Sequence, residues 1–236
     1  GGGERRERGG GRGNGKSQEA KRTRHGRKKE SSGWKRVRRG EGRATPSVWR
    51  DQVLVGAAVK TDRIAKNPPK ADARAKTNPP ANIYEFVVLS LDRKTGEERW
   101  RRVACEDAPH EGRHPANSFA SSSPTTDGKR LYVSFGSRGI YCFDLAGHPL
   151  WQRDLGDMRT RYGWGEGVSP VVHGDSMIVN WEHEDQSFIA VLNTETGETR
   201  WKADRDEPTT WATPLVVVHK GRTQLIVNGT NRVRSY

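Results

Sequence analysis

The sequence predicts an all-β protein, a β-propeller of four-stranded antiparallel blades, and three observations carry that expectation. A ten-residue segment ending in Trp recurs along the chain. A Ser/Thr-Pro pair recurs in step with it. Between these markers the apolar runs are short, strand-like and separated by turn residues, with no stretch of residues 44–236 keeping a capped helical period. Two independent markers at one period are the mark of a repeat architecture.

The first marker is Leu91-Asp92-Arg93-Lys94-Thr95-Gly96-Glu97-Glu98-Arg99-Trp100, which returns as Leu192-Asn193-Thr194-Glu195-Thr196-Gly197-Glu198-Thr199-Arg200-Trp201. A shorter copy, Phe143-Asp144-Leu145-Ala146-Gly147-His148-Pro149-Leu150-Trp151, lies between them. In each copy the Trp stands four residues after the Gly, and the Trp residues are 51 and 50 positions apart. Asp or Asn caps such a turn and Gly accepts its positive φ. The Trp is expected to wedge between adjacent blades, its indole N–H finding a backbone partner.

The second marker is Thr45-Pro46, Ser123-Pro124, Ser169-Pro170 and Thr213-Pro214, each introducing a short apolar run. Within one period, Ser123-Pro124-Thr125 begins a first strand and Asp127-Gly128 makes a tight turn. Leu131 to Phe135 form a second strand, Gly136 to Gly139 a turn, and Ile140 to Phe143 a third strand that is apolar on both faces. Leu150-Trp151 start a fourth. Four short strands per period of about 45 residues describe a propeller blade, which needs neighbours on both sides to cover its two apolar faces.

The expected blades are about 44–100, 122–151, 168–201 and an incomplete 212–236. The first is irregular, its surplus lying around Lys60 to Asn82, where Pro68-Pro69 and Pro79-Pro80 mark an exposed loop. Both ends read as cut: no Met opens the chain, and Tyr236 falls inside an apparent strand.

Only 31% of residues are hydrophobic, and the charge is uneven. Residues 1–43 carry 16 Lys/Arg against 5 Asp/Glu, whereas the remaining chain carries 26 against 24. This Gly/Arg-rich segment has almost nothing to bury and is expected to be a disordered basic tail. It lacks any aromatic residue before Trp34, so it offers no base-stacking platform, and a nucleic-acid role is not expected. No apolar run approaches the roughly 18 residues a membrane span needs. No signal peptide is visible.

Two catalytic-looking motifs fail on context. Gly10, Gly15, Lys16 and Ser17 satisfy the phosphate-loop spacing, but Glu4-Arg5-Arg6-Glu7-Arg8 precedes them where a buried strand is required. His110, Glu111 and His114 spell H-E-x-x-H, which binds zinc only on a helix, yet Pro109 and Pro115 bracket it and Gly112 sits inside. The sequence therefore predicts a loop there and no metal site.

The L-D-x-x-T-G-x-x-x-W pattern is similar to the tryptophan-docking repeat of pyrroloquinoline-quinone-type (PQQ-like) propellers, over about residues 44–236. The matching positions are Asp92, Thr95, Gly96 and Trp100, then Asp144, Gly147 and Trp151, then Asn193, Thr196, Gly197 and Trp201. The middle copy departs by one deleted residue and lacks the Thr. The resemblance implies that about 3.5 blades of a seven- or eight-bladed propeller are present. It divides function between quinoprotein dehydrogenases and non-catalytic, BamB-like envelope proteins. The former need a Trp floor beneath the quinone, Ca²⁺ held by Glu, Asn or Asp oxygens, and a carboxylate base, and many carry two adjacent cysteines. Here Cys105 and Cys142 stand far apart in sequence.

The most site-like stretch is Arg161-Tyr162-Gly163-Trp164-Gly165-Glu166-Gly167, whose Arg161, Trp164 and Glu166 would line the funnel. Trp181-Glu182-His183-Glu184-Asp185 would likewise offer an aromatic wall from Trp181 and oxygen ligands. The ordinary reading of both as connecting loops outweighs a cofactor site. The expectation is a binding or scaffold propeller in the periplasm, cell envelope or secreted space, with a protein partner or a ligand in the funnel. PQQ and Ca²⁺ enter only under the dehydrogenase alternative.

Overall fold

The computed structural model describes residues 34–35 and 39–236. The Gly10–Ser17 motif and most of the basic segment lie outside the described residues. The part of that segment that is described lies against the first sheet: Glu41 exchanges backbone hydrogen bonds with Ala58 (2.8 and 2.9 Å), and Trp34 packs beside Leu91.

Among the described residues, fifteen strands form three four-stranded sheets and a three-stranded one, all antiparallel and each in sequential order. The first sheet holds β1 (Ser47–Trp49), β2 (Gln52–Ile64), β3 (Asn82–Asp92) and β4 (Glu98–Asp107). The second holds β5 (Thr125–Thr126), β6 (Arg130–Ser134), β7 (Ile140–Asp144) and β8 (Pro149–Arg153). The third holds β9 (Val171–His173), β10 (Ser176–Trp181), β11 (Ser187–Asn193) and β12 (Thr199–Arg205). The fourth holds β13 (Leu215–His219), β14 (Arg222–Asn228) and β15 (Val233–Ser235). This is a partial β-propeller. Among the described residues no helix is long and apolar enough to cross a membrane.

The period-2 alternation of strand side chains explains why the inner strands are apolar on both faces. Leu131, Val133 and Phe143 of the second sheet face Leu54, Phe86 and Val88 of the first. The intervening Tyr132 and Cys142 turn the other way, onto Met177, Val179, Phe188 and Leu192 of the third. Ile178, Ile189 and Val191 then leave the third sheet toward Leu225 and Val227 of the fourth. The second and third sheets are thus sandwiched, and the core is a series of layers between blades.

The irregular first blade differs from expectation in one respect. Strands β2 and β3 are longer than the apolar pattern suggests, because Lys60 pairs with Tyr84 and Ile64 with Asn82. The connecting loop shrinks to residues 65–81. Polar residues hold this extension: Thr61 Oγ1 donates to the Ile83 carbonyl at 2.7 Å.

The outer two turns have one construction, while in the middle one Asp144 Oδ1 accepts the His148 N–H at 2.8 Å. Asp92 Oδ1 accepts the N–H groups of Lys94 (2.8 Å) and Thr95 (3.0 Å), and Asn193 Oδ1 those of Glu195 (2.7 Å) and Thr196 (3.2 Å). Gly96, Gly147 and Gly197 follow at φ 70°, 87° and 70°. The Trp does not lie on its own turn but on the next one. Trp34 Nε1 donates to Arg93 O at 2.8 Å, Trp100 Nε1 to Leu145 O at 3.1 Å, and Trp151 Nε1 to Thr194 O at 3.1 Å. Their rings cover Gly96, Gly147 and Gly197, where a Cβ would stand 2.4–2.7 Å from the indole. Gly at these places therefore meets two demands at once, left-handed backbone and close approach of an aromatic ring. Trp201 lies beside Tyr236 instead, with ring centroids 6.1 Å apart, and is 39% exposed.

The Ser/Thr-Pro marker also has a physical basis. The Thr45 N–H donates to Ser123 Oγ (3.0 Å), the Ser123 N–H to Ser169 Oγ (2.8 Å), and the Ser169 N–H to Thr213 Oγ1 (3.5 Å). Each hydroxyl receives the amide of the equivalent residue one blade earlier, while Pro, lacking an N–H, ends the run. Replacing Ser169 with Ala removes one acceptor and should cost about 1 kcal/mol. The check is the urea unfolding midpoint, and an unchanged midpoint would show that this chain of bonds adds nothing.

Candidate functional site

The strand order sends one set of connections to each end of the sheets. The Gly-bearing turns and the hairpins at 50–51, 127–129, 174–175 and 220–221 share one end. Loops 65–81, 108–124, 135–139, 154–170, 182–186 and 206–214 share the other. On that second face lies a cleft of about 750 Å³, bordered by Asp72 and Thr77 of the first loop, His110 and Glu111, and Arg159 and Tyr162. The long loop is fastened across it: the Lys76 N–H donates to the Tyr162 carbonyl at 2.8 Å, and Thr77 Oγ1 to the Gly163 carbonyl.

The charged groups at the rim neutralise one another. Arg159 donates to Asp185 Oδ1 at 2.5 Å and lies 3.8 Å from Asp72. Arg161 stands 3.7 Å from Glu184. The Arg159 guanidinium holds the Asp185 carboxyl below the usual carboxylate range. Arg161 thus lines the cleft as one half of an ion pair.

Beside the cleft is an aromatic group centred on Trp164. Its ring centroid is 5.0 Å from Tyr162, 5.5 Å from His114 and 6.2 Å from Trp211. Trp211 Nε1 is tied to the Gly165 carbonyl at 2.8 Å, which fixes the ring while leaving it 40% exposed. Tyr162 is equally exposed and holds φ 58°, a left-handed conformation that costs a non-glycine residue of order 1–3 kcal/mol. Lys76 Nζ sits 4.0 Å above its ring.

Beneath these groups Glu166 points inward. Its carboxylate accepts the Ser137 N–H at 2.7 Å and the Ser137 hydroxyl. Gly136, at φ 57°, makes room, since a Cβ there would fall 1.2 Å from Glu166 Oε2. Burial pushes the Glu166 carboxyl up to about 7, with neighbouring Glu111 adding to the rise. Glu111 is held in the same manner, by the Thr160 N–H (3.0 Å) and hydroxyl (2.6 Å), and burial raises it as well. Ligand atoms of His110, Glu111 and Glu166 all lie within 4.8 Å of one another.

Arg161, Trp164 and Glu166 lie on one loop, while Trp181 borders a small space beside Glu166 but faces the core. Trp181 is 2% exposed and stacks on Phe188 in the layer between the second and third sheets, because its β10 register turns it inward. The carboxylates that follow it are committed to cations: Glu182 to Arg205, Glu184 to Arg161, and Asp185 to Arg159. They do not converge as a set of oxygen ligands. The H-E-x-x-H residues lie on a loop, where His114 turns to Trp164 while His110 and Glu111 turn to Glu166. The loop expected at H-E-x-x-H is present, and Glu166, which lies beside His110 and Glu111, comes from a loop 55 positions after Glu111.

A quinone with Ca²⁺ does not match these residues. The trio contains an imidazole, whereas Ca²⁺ takes oxygen ligands. Cys105 and Cys142 are both free, and their thiols donate to separate carbonyls, Arg138 O at 3.4 Å and Phe143 O at 3.9 Å. Burial pushes the Cys142 thiol up to about 12, which makes it an inert packing group.

A family model described as outer membrane protein assembly factor BamB matches residues 85–236. No curated protein matches the chain. Among solved structures the chain is similar to a europium-containing methanol dehydrogenase, at 16% identity over 72% of this chain and 26% of that one, with TM-score 0.43. It is similar to BamB from Moraxella catarrhalis, at 16% identity over 81% of this chain and 59% of that one, with TM-score 0.39. A third is the quinohemoprotein alcohol dehydrogenase from Comamonas testosteroni, at 16% identity over 65% and 23%, with TM-score 0.36. The chain spans about a quarter of the first and 59% of the second.

Proposed function

Because this chain belongs to the family described by the outer membrane protein assembly factor BamB, we propose that it is a non-catalytic binding or scaffold module of the cell envelope that holds a protein partner on its loop face. The observation that carries this reading is the exposed aromatic group, Tyr162 and Trp211 flanking Trp164 beside the cleft. Rigid Tyr and Trp side chains, surrounded by Arg and fixed in place before binding, are the residues that anchor protein–protein contacts. Holding Tyr162 at positive φ costs folding energy without improving the core, which is expected where the side chain is presented outward. Rim charges already matched by neighbours add orientation rather than chemistry.

On this reading Asp92, Thr95, Gly96, Trp100, Asp144, Gly147, Trp151, Asn193, Thr196, Gly197 and Trp201 bind no ligand. Their work is to hold blades together.

The test uses the full-length protein in its native cells, with a photo-crosslinking amino acid at position 162 or 211 and controls at 94 and 195 on the opposite end. Adducts with one defined protein from 162 and 211, absent from the controls, are expected. Equal labelling from both ends would overturn the assignment of the loop face. Dye reduction on adding PQQ and Ca²⁺ to the purified protein would overturn the non-catalytic reading.

A further inference from the structure

We propose that His110, Glu111 and Glu166 form a binding site for one divalent transition cation of the Zn²⁺ type. The three come from two connecting loops: His110 and Glu111 lie between β4 and β5, and Glu166 lies between β8 and β9. Their ligand atoms fall within 4.8 Å of one another. A tetrahedral cation at about 2.0–2.2 Å from each would draw them to roughly 3.4 Å, a movement that side-chain torsions absorb.

Four features of the surroundings fit a cation. A cavity of about 30 Å³ is bordered by all three residues, and a void of this size holds one or two water-sized groups. His110 and Glu111 also border the large cleft, so the small space has an entry path and one face open to a further ligand. Both carboxylates are clamped by one residue each, the N–H and hydroxyl of Ser137 or of Thr160, which leaves their remaining lone pairs free and fixes their direction. Finally, His110 Nε2 lies 2.6 Å from the Met158 carbonyl. A carbonyl only accepts, so Nε2 carries the hydrogen and the lone pair resides on Nδ1. That Nδ1 stands 3.9 Å from Asp157 Oδ1, and imidazoles that ligate metals are held in this way, one nitrogen donating to a carbonyl and the other left for the ion.

The donor set selects the class of ion. One imidazole with two carboxylates suits Zn²⁺ and its neighbours in the transition series, and the imidazole disfavours Ca²⁺ and Mg²⁺. Two carboxylates crowded into a water-poor space repel each other, and a divalent cation removes that cost. Once bound, it would link the loop that enters the second blade to the loop that enters the third.

The full-length protein, stripped with a chelator and dialysed, is titrated with CoCl₂ and with ZnCl₂. Saturation near one equivalent is expected, with visible d–d absorption for Co²⁺ that Zn²⁺ abolishes. His110→Ala and Glu166→Gln should each weaken binding at least about tenfold, the lower edge of what even supporting residues of metal sites contribute. His114→Ala, which breaks the sequence motif but not the cluster, should leave binding unchanged. Circular dichroism without metal checks each fold. Should Glu166→Gln lose its sheet signal, Glu111→Gln carries the test, because it removes the second carboxylate while leaving Glu166 and its Ser137 clamp in place. No saturable binding by the wild-type protein, wild-type affinity in the folded variants, or an equal loss in His114→Ala would overturn the proposal.

Discussion

Replacing Arg205 with Met should destabilise the protein by about 3–5 kcal/mol, the cost of stranding a buried carboxylate. The Arg205 and Glu182 side chains are fully buried, and Arg205 Nε donates to Glu182 Oε1 at 2.5 Å. Among the described residues Glu182 accepts from one further side chain, Asn180 Nδ2 at 3.2 Å. Burial pushes its carboxyl up, against the opposing pull of Asn180 and Arg205. Without the guanidinium, the site must either hold an unmatched charge or take up a proton.

The same physics says that the pair itself adds little. Two charges removed from water lose hydration comparable to what their attraction returns, so an apolar pair of similar volume is often as stable. The double variant Glu182→Leu/Arg205→Met should therefore unfold close to wild type in urea, although each single variant falls well below it. Equal destabilisation by the single and double variants would refute this account and place the loss on the packing of Arg205 against Tyr236, whose hydroxyl accepts from its guanidinium. What the pair provides is direction: it joins the end of β10 to the end of β12 and, through Tyr236, to the fourth sheet.

The architecture was legible in the sequence because it rests on local rules repeated three times. An Asx-capped turn, a Gly that tolerates positive φ and an aromatic at fixed distance need no tertiary knowledge to recognise, and strand alternation follows from the apolar runs. What escaped were the particular partners between copies. Trp34 stands in the basic segment, yet it lies on Gly96 as Trp100 lies on Gly147. The Arg two residues after the Trp was also readable as a recurring W-x-R: Arg102 Nε donates to Gly147 O at 2.8 Å, and Arg153 Nε to Gly197 O at 2.7 Å. The candidate site was legible only in part. Arg161, Trp164 and Glu166 are close in sequence and stay close in space, whereas the partners of Glu166 depend on how a proline-bracketed loop folds over the face. Trp181, an aromatic followed by acids in the sequence, is turned by strand register into the core, a placement that spacing alone does not show.

The Trp-on-Gly contact carries the second large effect. Trp151→Ala should cost about 3–5 kcal/mol, the range for truncating a large packed aromatic. The indole packs against the layer between the second and third sheets, its ring 5.9 Å from Tyr132, and its N–H bonds Thr194 O. Truncation alone does not separate a junction between blades from an ordinary core residue, but Gly197 does. A Cβ at Gly197 would stand 2.7 Å from the Trp151 ring, and the residue holds φ 70°. Gly197→Ala therefore carries two costs, backbone strain that belongs to the turn and a clash that exists only while the indole is present. In the Trp151→Ala background the clash disappears and the strain remains. The two substitutions together should then cost less than the separate losses combined, with a coupling of about 1–3 kcal/mol, measured by urea unfolding of all four proteins. Additive losses would mean that the ring does not press on the neighbouring blade's turn, and the junction would have to be held by the strand layers alone.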